Sequence, residues 1–517
     1  MFKQALAYIP TPTPQLAKLL IPTALLITSA CSIDEPAPDR DQLEVNVVEP
    51  VERDWQDIKQ SGVLRMITSY SSSSYFLHRG VERGFEYEMM QRFAHQHDLA
   101  LDVVILKRDD NPYDILNRGD GDVIADNYTI TPERNQYVTF TRPYNLVNQI
   151  VVLSDQVDPL PQTLEELQGT PISVRRNSSY YFRLIEMEQK YGYDFDINLV
   201  PDDMDTEALL TRVQRGEYLA TIADNNMYQA VNKYLGSLVE GPTIARNDTI
   251  AWAIRKNASD LETAMNRFLY QHFQFGEPDD RPKRSAFLNV LRKRYFQESP
   301  QIQYFYASKE RYESTGSISP YDGLIKTVAD SANMDWLLIT AIIAQESKFN
   351  PESTSWAGAV GLMQILPRFS EVSNKEKLFD PEINIREGVR IMSEHLDHYS
   401  YLDLTNQWKF ALASYNVGQG HVADARRLAI DANKNPNEWE NIEDALLKLM
   451  QRKYYSRARY GFCRGIETVR YVRGIMNRYQ TYKTIMSLAE QDSENNQGVL
   501  GIKTFTPNLP SPLPPPR

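Results

Sequence analysis

At about Ser317 the spacing of apolar residues in this chain changes period, and no other feature constrains the fold as strongly. Before that point, short β-branched or apolar runs alternate with helical segments. GVLRMITSY (Gly62 to Tyr70), LALDVVIL (Leu99 to Leu106), GDVIADNYT (Gly121 to Thr129) and NQIVVLS (Asn148 to Ser154) read as strands, and GFEYEMMQRFAHQHD (Gly84 to Asp98) as a helix. The alternation resumes with TPISVRRNSSYYFRLIEMEQKYG (Thr170 to Gly192) and with the helix, strand and helix of Thr206 to Leu235. Two α/β lobes with mainly parallel sheets, joined in the middle, form a cleft. The expected organisation is an α/β two-lobed domain over 55–300, a polar connector over 301–318 and an all-α domain over 319–490. A chain of 517 residues is long enough for these cores.

Within the helical part, Ser319-Pro320-Tyr321-Asp322 has the composition of a helix start, with serine as the cap and proline in the first turn. Asp335 then caps a segment, Trp336 to Ala344, that is apolar nearly all round and must be buried. Glu346 stands at the end of that segment. A carboxyl embedded in apolar surroundings keeps its proton to higher pH, which suits a general acid. A glycine-flanked turn follows, with Gly358 and Gly361 ahead of Met363 and Gln364. By itself a glutamate before a serine is ordinary solvated surface.

Lys3 and Lys18 precede a short apolar segment, Leu19 to Thr28, that ends in Ser29-Ala30-Cys31. This reads as an export signal over 1–30 rather than a membrane helix. Two outcomes are open: a lipoprotein signal in which Cys31 is lipidated, from which Thr28 departs, or a plain cleaved signal. An acidic, proline-containing tether is expected over 31–54 and a disordered proline-rich tail over 491–517. If Cys31 carries lipid, Cys463 is the remaining cysteine and no intrachain disulfide is possible. Cys463 is then a small buried residue or a functional thiol. The seven histidines, including His395 and His398, show no ligand spacing, so neither a metal nor a cofactor is expected. The net charge of -12 argues against nucleic acid as a partner. One strongly basic run, Lys453 to Tyr479, is either a solvated helix face or a contact surface for an acidic glycan or peptide.

Four ordered motifs carry a resemblance. Glu346-Ser347, Gly361-Leu362-Met363-Gln364, Ala413-Ser414-Tyr415-Asn416-Val417-Gly418 and Tyr471 in ETVRYV resemble those of the family 23 lytic transglycosylases, lysozyme-like enzymes that cleave peptidoglycan. The resemblance implies that Glu346 is the catalytic acid and then base, and that Ser347, Gly361, Met363, Gln364, Tyr415, Asn416 and Tyr471 line or organise the sugar cleft. It also implies a 1,6-anhydro product. No second acid lies within the motifs; Glu352 and Asp380 are nearby, and Asp380 fits a helix start equally well. A muramidase that uses water remains an alternative, as does a ligand-sensing or wall-anchoring protein with an inactive lytic domain. For Tyr415 and Tyr471 core packing is the competing reading, and for Met363 a plain gap-filler.

The first domain resembles the family 3 periplasmic solute-binding proteins through GFEYEMMQRFA, Thr129-Ile130-Thr131-Pro132-Glu133-Arg134 and SVRRNSS. The resemblance implies that Thr129 and Arg134 hold a ligand carboxylate, that Asp224 receives an α-amino group, and that Ser179 lies in a loop closing over the carboxylate. An amino acid or muropeptide ligand is implied. Arg134 in an interdomain salt bridge and Asp224 as a helix cap are the structural alternatives. With Ser32 after Cys31, the lipoprotein reading implies the periplasmic face of the outer membrane.

Overall fold

A computed structural model of the protein describes residues 48–107, 110–201, 204–276, 282–297, 300–315 and 317–497. The expected export signal, Cys31, most of the tether and most of the proline-rich tail lie outside the described residues.

The α/β part has two lobes, each built on a five-stranded sheet. In the first lobe the strand order is Ala100–Ile105, Val63–Thr68, Val123–Ile124, Ala253–Ile254, Thr139–Phe140. Val63–Thr68 runs parallel to both its neighbours, whereas Ala253–Ile254 is antiparallel to both of its own. In the second lobe the order is Leu238–Ile250, Asn145–Ser154, Ala220–Asp224, Ile172–Arg175, Ile197–Val200. The expectation of mainly parallel sheets is therefore corrected to mixed sheets. The chain crosses to the second lobe along Asn145–Ser154 and returns along Leu238–Ile250, and strands running out and back pair antiparallel.

The connector is not simply polar. It forms the helix Pro300–Thr315, with Ile302 and Phe305 buried. Phe305 packs edge-on against Phe76 of the first lobe, at 5.6 Å between centroids, while Tyr306 stacks on Tyr234 of the second at 4.6 Å. One continuous apolar core runs from the first lobe through Phe305 into the helical domain, whereas the second lobe packs around separate clusters. Burial of apolar surface is the main cohesive force. The first lobe and the helical domain are thus one packing unit.

In the helical domain Asp335 accepts the N–H of Leu337 at 2.9 Å and caps the central helix, Trp336–Ser347, whose residues Leu337 to Ala344 are all buried. The preceding helix starts at Asp322, later than Ser319; Asp322 reaches back to the Ser319 N–H at 3.0 Å. Around the central helix lie Pro381–His398, Leu404–Val417, Gln419–Asp431, Trp439–Lys448 and the long C-terminal helix Gly465–Gln497. That helix runs past the expected end of the domain at 490. Its first half carries much of the basic run, and neither reading of that run describes it fully. Arg473 donates to the Ser61 carbonyl at 2.6 Å, Arg470 to the Asp98 carbonyl, and Arg478 pairs with Glu82 at 3.1 Å. These cations fasten the helix to the first lobe.

Candidate functional site

Glu346 occupies the last turn of the central helix and is half-buried. Burial pushes its carboxyl up to about 7, and a hydrogen bond from Tyr471 pulls the other way without cancelling it. The Tyr471 hydroxyl donates to Oε1 at 2.6 Å. A second carboxylate is not among the groups that act on this titration. Glu352 is exposed, and Asp380 caps Pro381–His398 by accepting the Ile383 N–H at 3.0 Å.

Of the other motif residues Tyr415 also reaches this group, and several take partners different from those implied. Tyr415 lies close enough that the Glu346 charge adds to burial in raising its hydroxyl. That hydroxyl donates to the Met363 carbonyl at 2.8 Å, so it fixes the loop rather than pointing a free proton at a ligand. Asn416 is exposed, and its Oδ1 accepts from Thr468 at 2.9 Å. Gln364 (φ +50°) donates to the carbonyls of Ser353 and Gly361 at 3.0 and 2.9 Å. Ser347 is buried, with its hydroxyl turned back to the Ile343 carbonyl at 3.2 Å, so the expected substrate contact is not offered. The Met363 side chain is corrected likewise. It is fully buried and fills the space that Gly388 leaves, which is the gap-filler reading; its backbone is what reaches the site.

Sequence reasoning missed Asn384. Fully buried, it accepts the Met363 N–H at 2.7 Å and donates to the carbonyls of Leu378 and Val360 at 2.6 and 3.0 Å. It also explains Gly361 (φ +80°): a Cβ there would lie 2.1 Å from the Asn384 amide, so that glycine makes room for Asn384 rather than for a glycan. The only signal was an asparagine four residues into a helix read merely as starting at Asp380.

In the α/β part, Arg134 from the first lobe and Asp224 from the second come within electrostatic range. Arg134 donates to the Thr129 carbonyl at 2.9 Å and its guanidinium lies 3.8 Å from the centre of the Tyr128 ring. These partners are a carbonyl and a ring, not the carboxylate of a salt bridge. Thr129 is buried. Asp224 stands at the start of Asn225–Leu235 without capping it through its side chain, so the cap reading fails. Burial raises its carboxyl to about 7 even though Asn127 donates to Oδ2 at 3.0 Å across the lobes. Its Oδ1 is buried without a partner, as are both amide atoms of Gln149, directly opposite on the neighbouring strand. Ser179 is the first residue of the helix Ser179–Tyr191, not part of a loop, and Ser178 caps that helix by accepting the Tyr181 N–H at 3.1 Å.

Residues 64–281 match the model of the bacterial extracellular solute-binding proteins, family 3, and residues 323–438 that of the transglycosylase SLT domain. A membrane-bound lytic murein transglycosylase F of Desulfosudis oleivorans is 31% identical, over 82% of this chain and 91% of that protein. The chain belongs to the membrane-bound lytic murein transglycosylase F family. Other members are that of Shewanella pealeana, 32% identical over 80% of this chain and 84% of its own, and that of Pseudomonas fluorescens, 29% identical over 97% and 98%. Among solved structures, the holo form of ArgBP from T. maritima aligns with 23% identity and a TM-score of 0.37, covering 47% of this chain and 99% of its own. An ancestral arginine-binding protein bound to arginine aligns with 20% identity and a TM-score of 0.37, covering 46% and 98%. The SLT match ends before Tyr471, which the C-terminal helix brings to Glu346.

Proposed function

We propose that the protein is a peptidoglycan lytic transglycosylase that cleaves the β-1,4 bond between N-acetylmuramic acid and N-acetylglucosamine without water. The observation that carries this reading is a single carboxyl, Glu346, protonated near neutrality and held by Tyr471, with no second carboxylate acting on it among the described residues. Because Tyr471 donates to Oε1, the proton sits on Oε2 and passes from there to the bridging oxygen as the bond to the anomeric carbon breaks. With no carboxylate partner, the substrate's own 2-acetamido oxygen bonds to the anomeric carbon. The Asn416 amide N–H groups orient that acetamido group. Glu346, now ionised, takes the proton of the muramyl 6-hydroxyl, whose oxygen attacks the anomeric carbon and displaces the acetamido oxygen. The product is a 1,6-anhydro end, and the carboxyl is reprotonated for the next cycle.

Mass spectrometry of digested sacculi tests the reaction. Anhydro ends are expected, and reducing ends alone would point to a muramidase. Lysis that survived Glu346→Gln would remove Glu346 from the mechanism.

The α/β part binds a small molecule bearing α-amino and carboxylate groups, an amino acid or a muropeptide. Buried polar atoms without partners are costly, and Asp224 and Gln149 supply three in one place. An ammonium would satisfy Asp224 while keeping it ionised, and Arg134 offers the carboxylate its fork. Calorimetry of the full chain with free amino acids and muropeptides tests this; heats of dilution alone from all of them would leave the domain a spacer. Lipidation of Cys31 places the protein on the periplasmic face of the outer membrane, and mass spectrometry of the amino-terminal peptide tests for the lipid.

A further inference from the structure

A hairpin of the first lobe, Phe76–His78 with Val81–Arg83, reaches the end of the central helix at two points. At its turn Gly80 (φ +79°) lies against the ring of Phe349, three residues after Glu346. A Cβ on Gly80 would come within 2.1 Å of a ring carbon. On its second strand Glu82 pairs with Arg478 Nη2 at 3.1 Å and accepts the hydroxyls of Tyr75 and Tyr87 at 3.2 and 3.0 Å. The other arm of the same guanidinium, Nη1, donates at 3.0 Å to Gln345 Oε1, on the residue next to Glu346.

The C-terminal helix presents two grips to the central helix. Tyr471 holds Glu346, and Arg478, two turns further along the same face, holds Gln345. Between them Gly474 passes beside Gln345, where a Cβ would make an ordinary contact, 3.4 Å from Gln345 Oε1. Packing alone does not demand a mostly buried ion pair here, since replacing such pairs with apolar residues is often neutral for stability. What a guanidinium fork adds is direction, because it fixes two acceptors in one plane. Burial pushes Glu82 upward, but Arg478 and the two tyrosine hydroxyls outweigh it and hold the carboxyl below its usual range, so the pair stays charged.

We propose that Glu82, acting through Arg478 and Gln345, is a positioning residue for the catalytic carboxyl. The first-lobe hairpin sets how far the C-terminal helix slides along the central helix, and so keeps Tyr471 on Glu346. The first lobe is then a working part of the lytic site, whatever the cleft between the lobes binds.

The test rests on the lytic reading. Release of anhydro products by the wild-type chain establishes that activity, and losses relative to it test the clamp. Gln345 is exposed, so Gln345→Leu cuts the link while leaving the Glu82–Arg478 pair and the fold intact. It is expected to lower kcat roughly ten- to a hundredfold with KM little changed, because a small misplacement of the acid is felt in the chemical step. The groups facing Glu346 are Tyr471 and Tyr415, and slackening of the Tyr471 bond moves the alkaline limb of the pH profile upward. Glu82→Gln and Arg478→Lys should reproduce both effects, since lysine cannot reach both acceptors with one fork. Added to Tyr471→Phe, Gln345→Leu should cost nothing further, the sign of one shared pathway. Losses that simply multiply would overturn the proposal, as would a Gln345→Leu enzyme with wild-type kcat and pH profile.

Discussion

Tyr471→Phe removes one hydroxyl from the catalytic centre and keeps the packing of the ring. The carboxyl of Glu346 stands at about 7 because burial outweighs the 2.6 Å bond that Tyr471 donates. A hydrogen bond to an ionised acceptor is worth about 1.5–3 kcal/mol, against about 0.5–1.5 for a neutral one. Losing it therefore costs the ionised form roughly 1.4 kcal/mol more than the neutral form, about one pKa unit, and takes Glu346 to roughly 8. The protonated form begins the reaction, so the alkaline limb must move upward. At pH 8 the wild-type carboxyl is roughly one-tenth protonated and the variant's about half, so relative to its own maximum the variant should retain roughly fivefold more activity there. Its maximum should be lower, because the carboxyl is less well held. The assay is the release of anhydro-muropeptides from purified sacculi between pH 5 and 9. A limb that stays in place or moves to lower pH would refute the assignment of Tyr471 as the group that tempers Glu346.

Other outcomes follow from the same geometry. Glu346 titrates near 4.5 when unfolded and about 7 when folded, so its contribution to stability is full below the unfolded value and lost as pH rises through the folded one. Glu346→Gln should thus raise the free energy of unfolding at pH 8, by up to ~3 kcal/mol, and little at pH 4; equal shifts at both would count against a desolvated carboxyl. Glu86 and Asp224, both at about 7, and Asp102, at about 6, are raised mainly by burial as well, so calorimetric scans should show the wild-type chain less stable at pH 8 than at pH 5.5. Asn384→Ala strands the Met363 N–H and the carbonyls of Leu378 and Val360, and should cost ~3 kcal/mol in urea unfolding; a loss near zero would mean that those groups find other partners. Asp224→Asn should abolish calorimetric binding of α-amino ligands and leave lysis without ligand unchanged.

The two-period pattern and the four motifs were local signals, and they were read correctly as an α/β part followed by helices with Glu346 at the end of a buried one. Thr129, Arg134 and Asp224 stood out as candidates for the same reason, since local sequence marks the turn and strand end that carry them. Met363 and Gly361 were misjudged because what surrounds them comes from another helix: Gly388 opens the space for one and Asn384 presses on the other. The basic run was read as a surface because nothing in sequence told it that Ser61, Glu82 and Asp98 would face it across the fold.

Periodicity and capping residues act over a few positions, so the chain by itself determined which segments become helices and strands and which carboxyl ends in apolar surroundings. The proton affinity of Glu346, the bond from Tyr471 and the fusion of the first lobe with the lytic domain arise between residues more than a hundred positions apart. Only tertiary packing decided them, because desolvation and hydrogen-bond geometry depend on which distant surfaces close around a group.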